Sequence, residues 1–312
     1  MGESVELPGR TIGRMITVPE PLAAAHRDYG TEASRAFIDG VAARAEEFLE
    51  RWELTPAGDP MHGFVALVLP VIGPDGTESV LKLQPVDDET AGEPDALRVW
   101  DGDGAVRLLD HNPATGTLLL ERLDAARPLS AVPDTAEAVR ILGTLLARLG
   151  ARPAPAGLRR LGDLAAGLLE RAPRAAAGLA RDGERRLLLD CAAAVREVAD
   201  EPGDRLLHWD LHYGNVLGSA REPWLAIDPK PLAGDPGFEL LPALTNRFDP
   251  DPAAIRLRFD LLTEAIGRDG DRERARAWTL GRVLQFCLWD VEDGAEVLDG
   301  VPVTIANALL GR

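Results

Sequence analysis

Residues 206–217 read LLHWDLHYGNVL. A short apolar strand runs into Asp210, His212 and Asn215 and then turns apolar again. Polar groups set between apolar flanks are costly to bury unless each is hydrogen-bonded or employed, so the stretch needs a cause. Three readings fit its residues. His208, Asp210 and His212 alternate, share a face of an extended chain, and suit a metal site. Asp210 and Asn215, five residues apart across a loop, suit phosphoryl transfer, which needs an acceptor for a proton and oxygen ligands for magnesium. The third reading is an ordinary polar turn.

The next residues bear on the choice. The segments NVL (215–217) and WLAI (224–227) are joined by GSAREP, whose glycine, serine and proline favour a turn, so the two should pair antiparallel. In such a pair the start of the first strand lies opposite the end of the second. Asn215 then meets Asp228, and one hairpin offers two oxygen ligands to one metal. The zinc alternative lacks a fourth ligand, with His26, His62 and His111 scattered elsewhere.

Composition bounds the rest. The chain has 312 residues and is 46% hydrophobic, enough for one large or two modest domains with a true core. It contains no long uninterrupted apolar run, and MGESVELPGR at the start is polar and acidic, so neither a membrane span nor a signal peptide is expected and a cytoplasmic location is. Cys191 and Cys287 each fall in an apolar helical pattern and read as buried free thiols. A net charge of −17 argues against nucleic acid or anionic membrane as partner and favours a small cationic substrate. Nothing points to an obligate protein partner. Of 34 basic residues only Lys82 and Lys230 are lysine, which marks both as places where a compact point charge is wanted.

Periodicity divides the chain in two. Phe37, Val41, Phe48 and Trp52 form one stripe of a helix over 31–52. FVALVLPV (64–71) and SVLKL (79–83), separated by the turn residues of IGPDGTE, read as a hairpin after the loop GDPMHG. A helix over 88–100 and two strand-like runs, AVRLLDHN and GTLLLERL, follow. From 135 onward the pattern is helical (135–150, 161–171, 184–199, 252–267 and 272–290), interrupted by LLHWD, NVL and WLAID. The expected fold is α+β and bilobal, a small β-rich lobe over 1–123 and a larger, mainly α-helical lobe over 124–312.

Asp210 with Asn215, then a hairpin ending in Asp228, resembles the catalytic loop and metal-binding aspartate of the protein-kinase-like superfamily. More narrowly, HWDLHYGNVL followed by REPWLAIDPKPLAGDPGFEL resembles the aminoglycoside phosphotransferases, in their streptomycin 6-kinase and hydroxyurea kinase branch. The resemblance implies Lys82 on the phosphates of ATP or GTP and Glu93 orienting it, with Glu89 or Asp95 in that part if the helix register differs. It implies Glu121 to Leu123 as the hinge that meets the base, Asp210 as base or orienting group for the substrate hydroxyl, and Asn215 and Asp228 on Mg2+. It places the acceptor against the C-terminal helices, where Asp260, Glu264, Trp289, Asp290, Glu292 and Asp293 suit an amino- or guanidinium-bearing sugar. Six residues separate Asp228 from Asp235, too few for a peptide-docking activation segment, so a small molecule is the expected acceptor. Streptomycin is the first expectation; hydroxyurea, another antibiotic, or a nucleotide-binding module without turnover are the others. The chain departs from the family pattern at Trp209, where a small residue is usual, and in a phosphate loop whose glycine is Gly63 alone. Lys230 either approaches the phosphates or pairs with an acid such as Asp235.

Overall fold

The structure, a computed structural model, describes residues 16–28, 30–267 and 271–312. The chain folds as two compact units, one drawn from residues up to 85 and 112–122, the other from 86–111 and 123–312.

In the first unit, Leu67–Ile72 and Glu78–Leu83 form the expected hairpin, in register from Leu67 opposite Leu83 to Ile72 opposite Glu78. Its turn is closed by Asp75, whose Oδ1 accepts the Thr77 N–H at 2.9 Å, and by Gly76 at a φ of +84° that disfavours a side chain. Thr117–Glu121 pairs on the other side of Glu78–Leu83, setting Leu118 opposite Lys82. The helix Glu32–Arg51, capped by the Thr31 hydroxyl, lays Phe37, Val41, Ala45 and Phe48 on Leu67, Leu69, Leu81 and Leu83. A preceding helix, Glu20–Asp28, escaped the sequence reading. Lys82 lies in the centre of this sheet and is buried.

The second unit is mainly helical. Helix Arg272–Glu292 is buried on nearly every side along 275–288 and forms its axis. Asp182–Val198 and Leu161–Gly178 pack along it, while Thr135–Leu149 packs on Pro252–Ala265. Two small sheets interrupt the helices. Arg205–Leu207 pairs antiparallel with Leu232–Gly234, which also pairs parallel with Arg159–Arg160. Val216–Gly218 pairs with Leu225–Ala226 and with Asp124–Pro128.

Residues 86–111, assigned to the first lobe from the sequence, belong to the second unit by their contacts. The Trp100 indole donates to Leu149 O at 3.1 Å, and Val106 N and Ala226 O bond at 2.9 Å. The helix expected over 88–100 is also shorter, Glu93–Trp100, because Asp87 takes the N–H groups of Glu89 and Thr90 into a turn that competes with helix. Among the described residues no helix is long and apolar enough to cross a membrane.

Phe48 is fully buried at the centre of the first unit's core, and Phe48→Ala should cost about 3–5 kcal/mol, read as a lowered midpoint of chemical denaturation.

Candidate active site

The stretch 206–217 leaves the strand Arg205–Leu207 and makes a sharp loop before the short helical turn Tyr213–Asn215. Trp209 takes a φ of +65° there, a left-handed conformation that costs a bulky residue of the order of 1–3 kcal/mol. Three contacts hold it. The Trp209 N–H donates to Glu239 Oε1 at 2.6 Å. Two guanidinium groups lie over its indole, with Arg159 Cζ at 4.3 Å and Arg282 Cζ at 4.5 Å from the ring centroid. The departure seen in the sequence is thus a packing device, and the side chain points into the second unit's interior, 2% exposed.

His208 joins this loop to the hairpin. Its Nδ1 accepts the Asp210 N–H at 3.4 Å, which leaves Nε2–H to donate to Ile227 O at 3.0 Å. Burial pushes the imidazole down from 6.5 to about 4, against the pull of Asp210, so the ring is neutral. His212 Nδ1 accepts the Gly214 N–H and caps the short turn. With these ring nitrogens committed to backbone, the alternation of His208, Asp210 and His212 does not make a ligand set, and among the described residues no group of three or more His, Cys, Asp or Glu could hold a metal ion.

The hairpin forms, in a register one residue away from the one expected of it. Val216 lies opposite Ala226 and Leu217 opposite Leu225, and Ile227 N donates to Asn215 O at 2.9 Å. Asn215 therefore stands across from Ile227, one residue short of Asp228, which takes a φ of +57°. The Asn215 amide nitrogen donates to Asp210 O at 2.9 Å. A carbonyl can only accept, so the nitrogen of that amide is fixed there and its oxygen is left as the donor atom for a cation. An amide oxygen and a carboxylate, with no sulfur or imidazole, is a hard-oxygen set that fits Mg2+ completed by phosphate oxygens.

The Asp210 carboxylate is 27% exposed, and Lys230 Nζ lies 3.5 Å from its Oδ2. Lys230 also stands 3.7 Å from Glu89 Oε2, and Arg159 Nη1 is 4.0 Å from Glu89 on another side. Lys230 therefore does not pair with Asp235, which is bound instead by Arg274 at 2.8 Å. The desolvated support beneath the loop is Glu239 and Arg282. Burial raises the Glu239 carboxyl to about 8 against two backbone N–H groups, and burial lowers Arg282 to about 10.

The remaining residues singled out in the sequence sit as follows. Glu93 is fully buried at the start of Glu93–Trp100; Glu121 ends its strand and Leu123 follows where the chain passes to the second unit. Trp289 is brought to the loop through Arg282, whose Cζ is 5.6 Å from its ring. Asp260 is held by Arg272 at 2.7 Å, Asp290 accepts the Asp299 N–H, and Glu264 stands exposed. Glu292 pairs with Arg171.

The family model for aminoglycoside/hydroxyurea antibiotic resistance kinases matches residues 51–294. This chain belongs to that family. It is 60% identical to a hydroxyurea phosphotransferase of Kitasatospora aureofaciens, over 97% of this chain and 88% of the relative. It is 55% identical to a streptomycin 6-kinase of Streptomyces glaucescens, over 96% and 99%. Among solved structures it shares the protein-kinase-like fold of a thermostable aminoglycoside phosphotransferase mutant crystallised with ADP and hygromycin B, at a TM-score of 0.58 and 15% identity over 84% of this chain and 97% of that one.

Within this resistance-kinase framework the sequence reading passed over Arg159, Arg282 and Glu239. Arg159 and Arg282 were indistinguishable from the other arginines of an arginine-rich chain. Glu239 had a signal: a lone carboxylate in the apolar run GFELLPAL must be either a helix-start acid or a buried acceptor. A further expectation concerns His208. Its neutral form stabilises the fold fully above the unfolded imidazole value of 6.5, and that stability is lost as pH falls from 6.5 toward 4, because the unfolded chain then binds the extra proton. His208→Gln, which keeps a donor for Ile227 O, should show a smaller fall in melting temperature between pH 7 and pH 5 than the unaltered protein.

Proposed function

We propose that this chain is a small-molecule kinase that moves the γ-phosphoryl group of a nucleoside triphosphate to the 6-hydroxyl of streptomycin. What carries the reading is the partly exposed Asp210 carboxylate, whose backbone N–H and C=O are braced by His208 and Asn215 beside a hairpin that ends in Asp228. The 55% identity to a streptomycin 6-kinase supports the acceptor. The charge of −17 suits a guanidinium-bearing substrate.

In this mechanism Asp210 accepts a hydrogen bond from the acceptor hydroxyl, aims its oxygen at the γ-phosphorus and takes its proton as the new bond forms, a contribution of about 10²–10⁴ in rate. Asn215 and Asp228 would hold Mg2+, which when bound would supply positive charge against the phosphates. Lys82, with Glu93 as its orienting carboxylate, grips the nucleotide phosphates, and the backbone of 121–123 meets the base of ATP or GTP. Trp289 offers a ring face to the acceptor. Asp260 and Asp290, engaged by Arg272 and by Asp299, have a weaker claim to the acceptor than the exposed Glu264. The reaction would run in the cytoplasm, where nucleoside triphosphates are available.

Hydroxyurea is the second reading, favoured by the 60% identity to a hydroxyurea phosphotransferase. Purified protein with Mg-ATP should add one phosphate to streptomycin, seen by mass, and a hydroxyurea reaction run in parallel ranks the two; transfer to neither removes both acceptors. Asp210→Asn should lower kcat by about 10²–10⁴-fold while nucleotide affinity stays within about twofold, and a variant that turns over normally would refute the role given to Asp210.

A further inference from the structure

We propose that Lys230 is the cation that meets the transferring phosphoryl group, and that Glu89 is the positioning residue that holds it ready. The proposal deepens the phosphotransferase reading and rests on it.

Lys230 Nζ lies 3.5 Å from Asp210 Oδ2 and 3.7 Å from Glu89 Oε2. Both separations are within ion-pair range and beyond the usual length of a charge-assisted hydrogen bond. The ammonium is thus shared by two carboxylates without a short bond to either. Its backbone is fixed. Lys230 N donates to His208 O at 3.0 Å, and the residue stands between Pro229 and Pro231, which restrict its φ and ψ neighbourhood. Motion is left to the four-carbon stem. Glu89 is fixed by the Asp87 turn, whose Oδ1 accepts the Glu89 N–H at 2.9 Å, and its far side faces Arg159 Nη1 at 4.0 Å. Lys230 and Glu89 are both partly exposed, with side chains 26% and 38% accessible, so a ligand at Asp210 can reach them.

The chemistry gives this arrangement a purpose. In transfer, a bond forms between the acceptor oxygen and the γ-phosphorus while the bond from that phosphorus to the β–γ bridging oxygen breaks. The electron pair leaves on the nucleoside diphosphate, and the hydroxyl proton passes to the Asp210 carboxylate. Neutralising Asp210 removes one of the two anions that hold Lys230, just as negative charge concentrates on the phosphoryl oxygens. The ammonium, drawn to the γ-phosphoryl group already in the nucleotide complex, then has a stronger partner within the reach of its stem. Glu89 limits the travel by keeping the stem on the Asp210 side. A compact ammonium suits a gap bounded by two carboxylates where a forked guanidinium would engage one of them bidentately. Only two of 34 basic residues are lysine, and this position is one of them.

The test compares nucleotides that differ in the γ-phosphoryl group. Lys230→Met should weaken Mg-AMP-PNP binding by about tenfold and leave Mg-ADP binding unchanged, while kcat falls by about 10²–10³-fold. Lys230→Gln, a polar replacement, serves as the second variant should the first fold poorly. Glu89→Gln should lower kcat by about 3- to 10-fold alone and add nothing when combined with Lys230→Met, since a positioning residue has no effect once its client is gone. A merely structural ion pair would move melting temperature and both nucleotides together. An AMP-PNP to ADP affinity ratio unchanged in both Lys230 variants, or a Glu89 effect that persists in the Lys230→Met background, overturns the proposal. A ratio that collapses in the Lys230 variants supports it even where the unaltered protein phosphorylates neither streptomycin nor hydroxyurea, an outcome that would sink the acceptor assignment alone.

Discussion

A neutral imidazole holds the candidate site together. His208 receives the Asp210 N–H on one nitrogen and gives a proton to Ile227 O from the other, so a single ring fixes the loop that carries one carboxylate to the strand that ends in the next. The ring can do this only while uncharged, because a protonated Nδ1 would face an N–H with another donor. Burial enforces that state. The two non-glycine residues of this region that take positive φ, Trp209 and Asp228, each lie next to a residue fixed by this ring, and strain at these positions persists because the surroundings over-determine them.

Beneath the loop the charges follow a different logic from those above it. Glu239 and Arg282 are almost fully buried and serve as scaffolding: one takes the Trp209 N–H, the other covers the Trp209 ring. Removing Glu239 would leave the buried Trp209 N–H without its acceptor, the costly case for a hydrogen bond. Asp210, Lys230 and Glu89 are partly solvated and loosely paired. Buried, backbone-bonded groups therefore underlie the loop, and exchangeable charges lie at its surface.

Much of this was legible in the residues. The hairpin and its antiparallel sense followed from two short apolar runs and one turn, because pairing has little freedom once the connection is short, while its register came out one residue off, with Asn215 opposite Ile227 instead of Asp228. The helical half followed from apolar spacing. Where the reading fell short, long-range contacts were responsible. Residues 86–111 look like a continuation of the first sheet's lobe, yet Trp100 and Val106 bond to Leu149 and Ala226, distant in sequence. Asp235 was a reasonable partner for Lys230 by proximity along the chain, but Arg274, from the axial helix, takes it first. Glu292 and Asp260 stood among the acceptor candidates that the family resemblance implied, and each has an arginine partner that only the fold reveals.

The near-absence of lysine has a practical corollary in the fold. Of the two side-chain amines, one is embedded in the first unit's sheet and the other is about a quarter accessible beside Asp210. Reagents that acylate amines, which label most proteins indiscriminately, would meet here an arginine-covered surface that they do not modify. Incorporation at position 230, located by peptide mapping, would therefore report occupancy of the candidate site, an intrinsic chemical probe that needs no engineered tag.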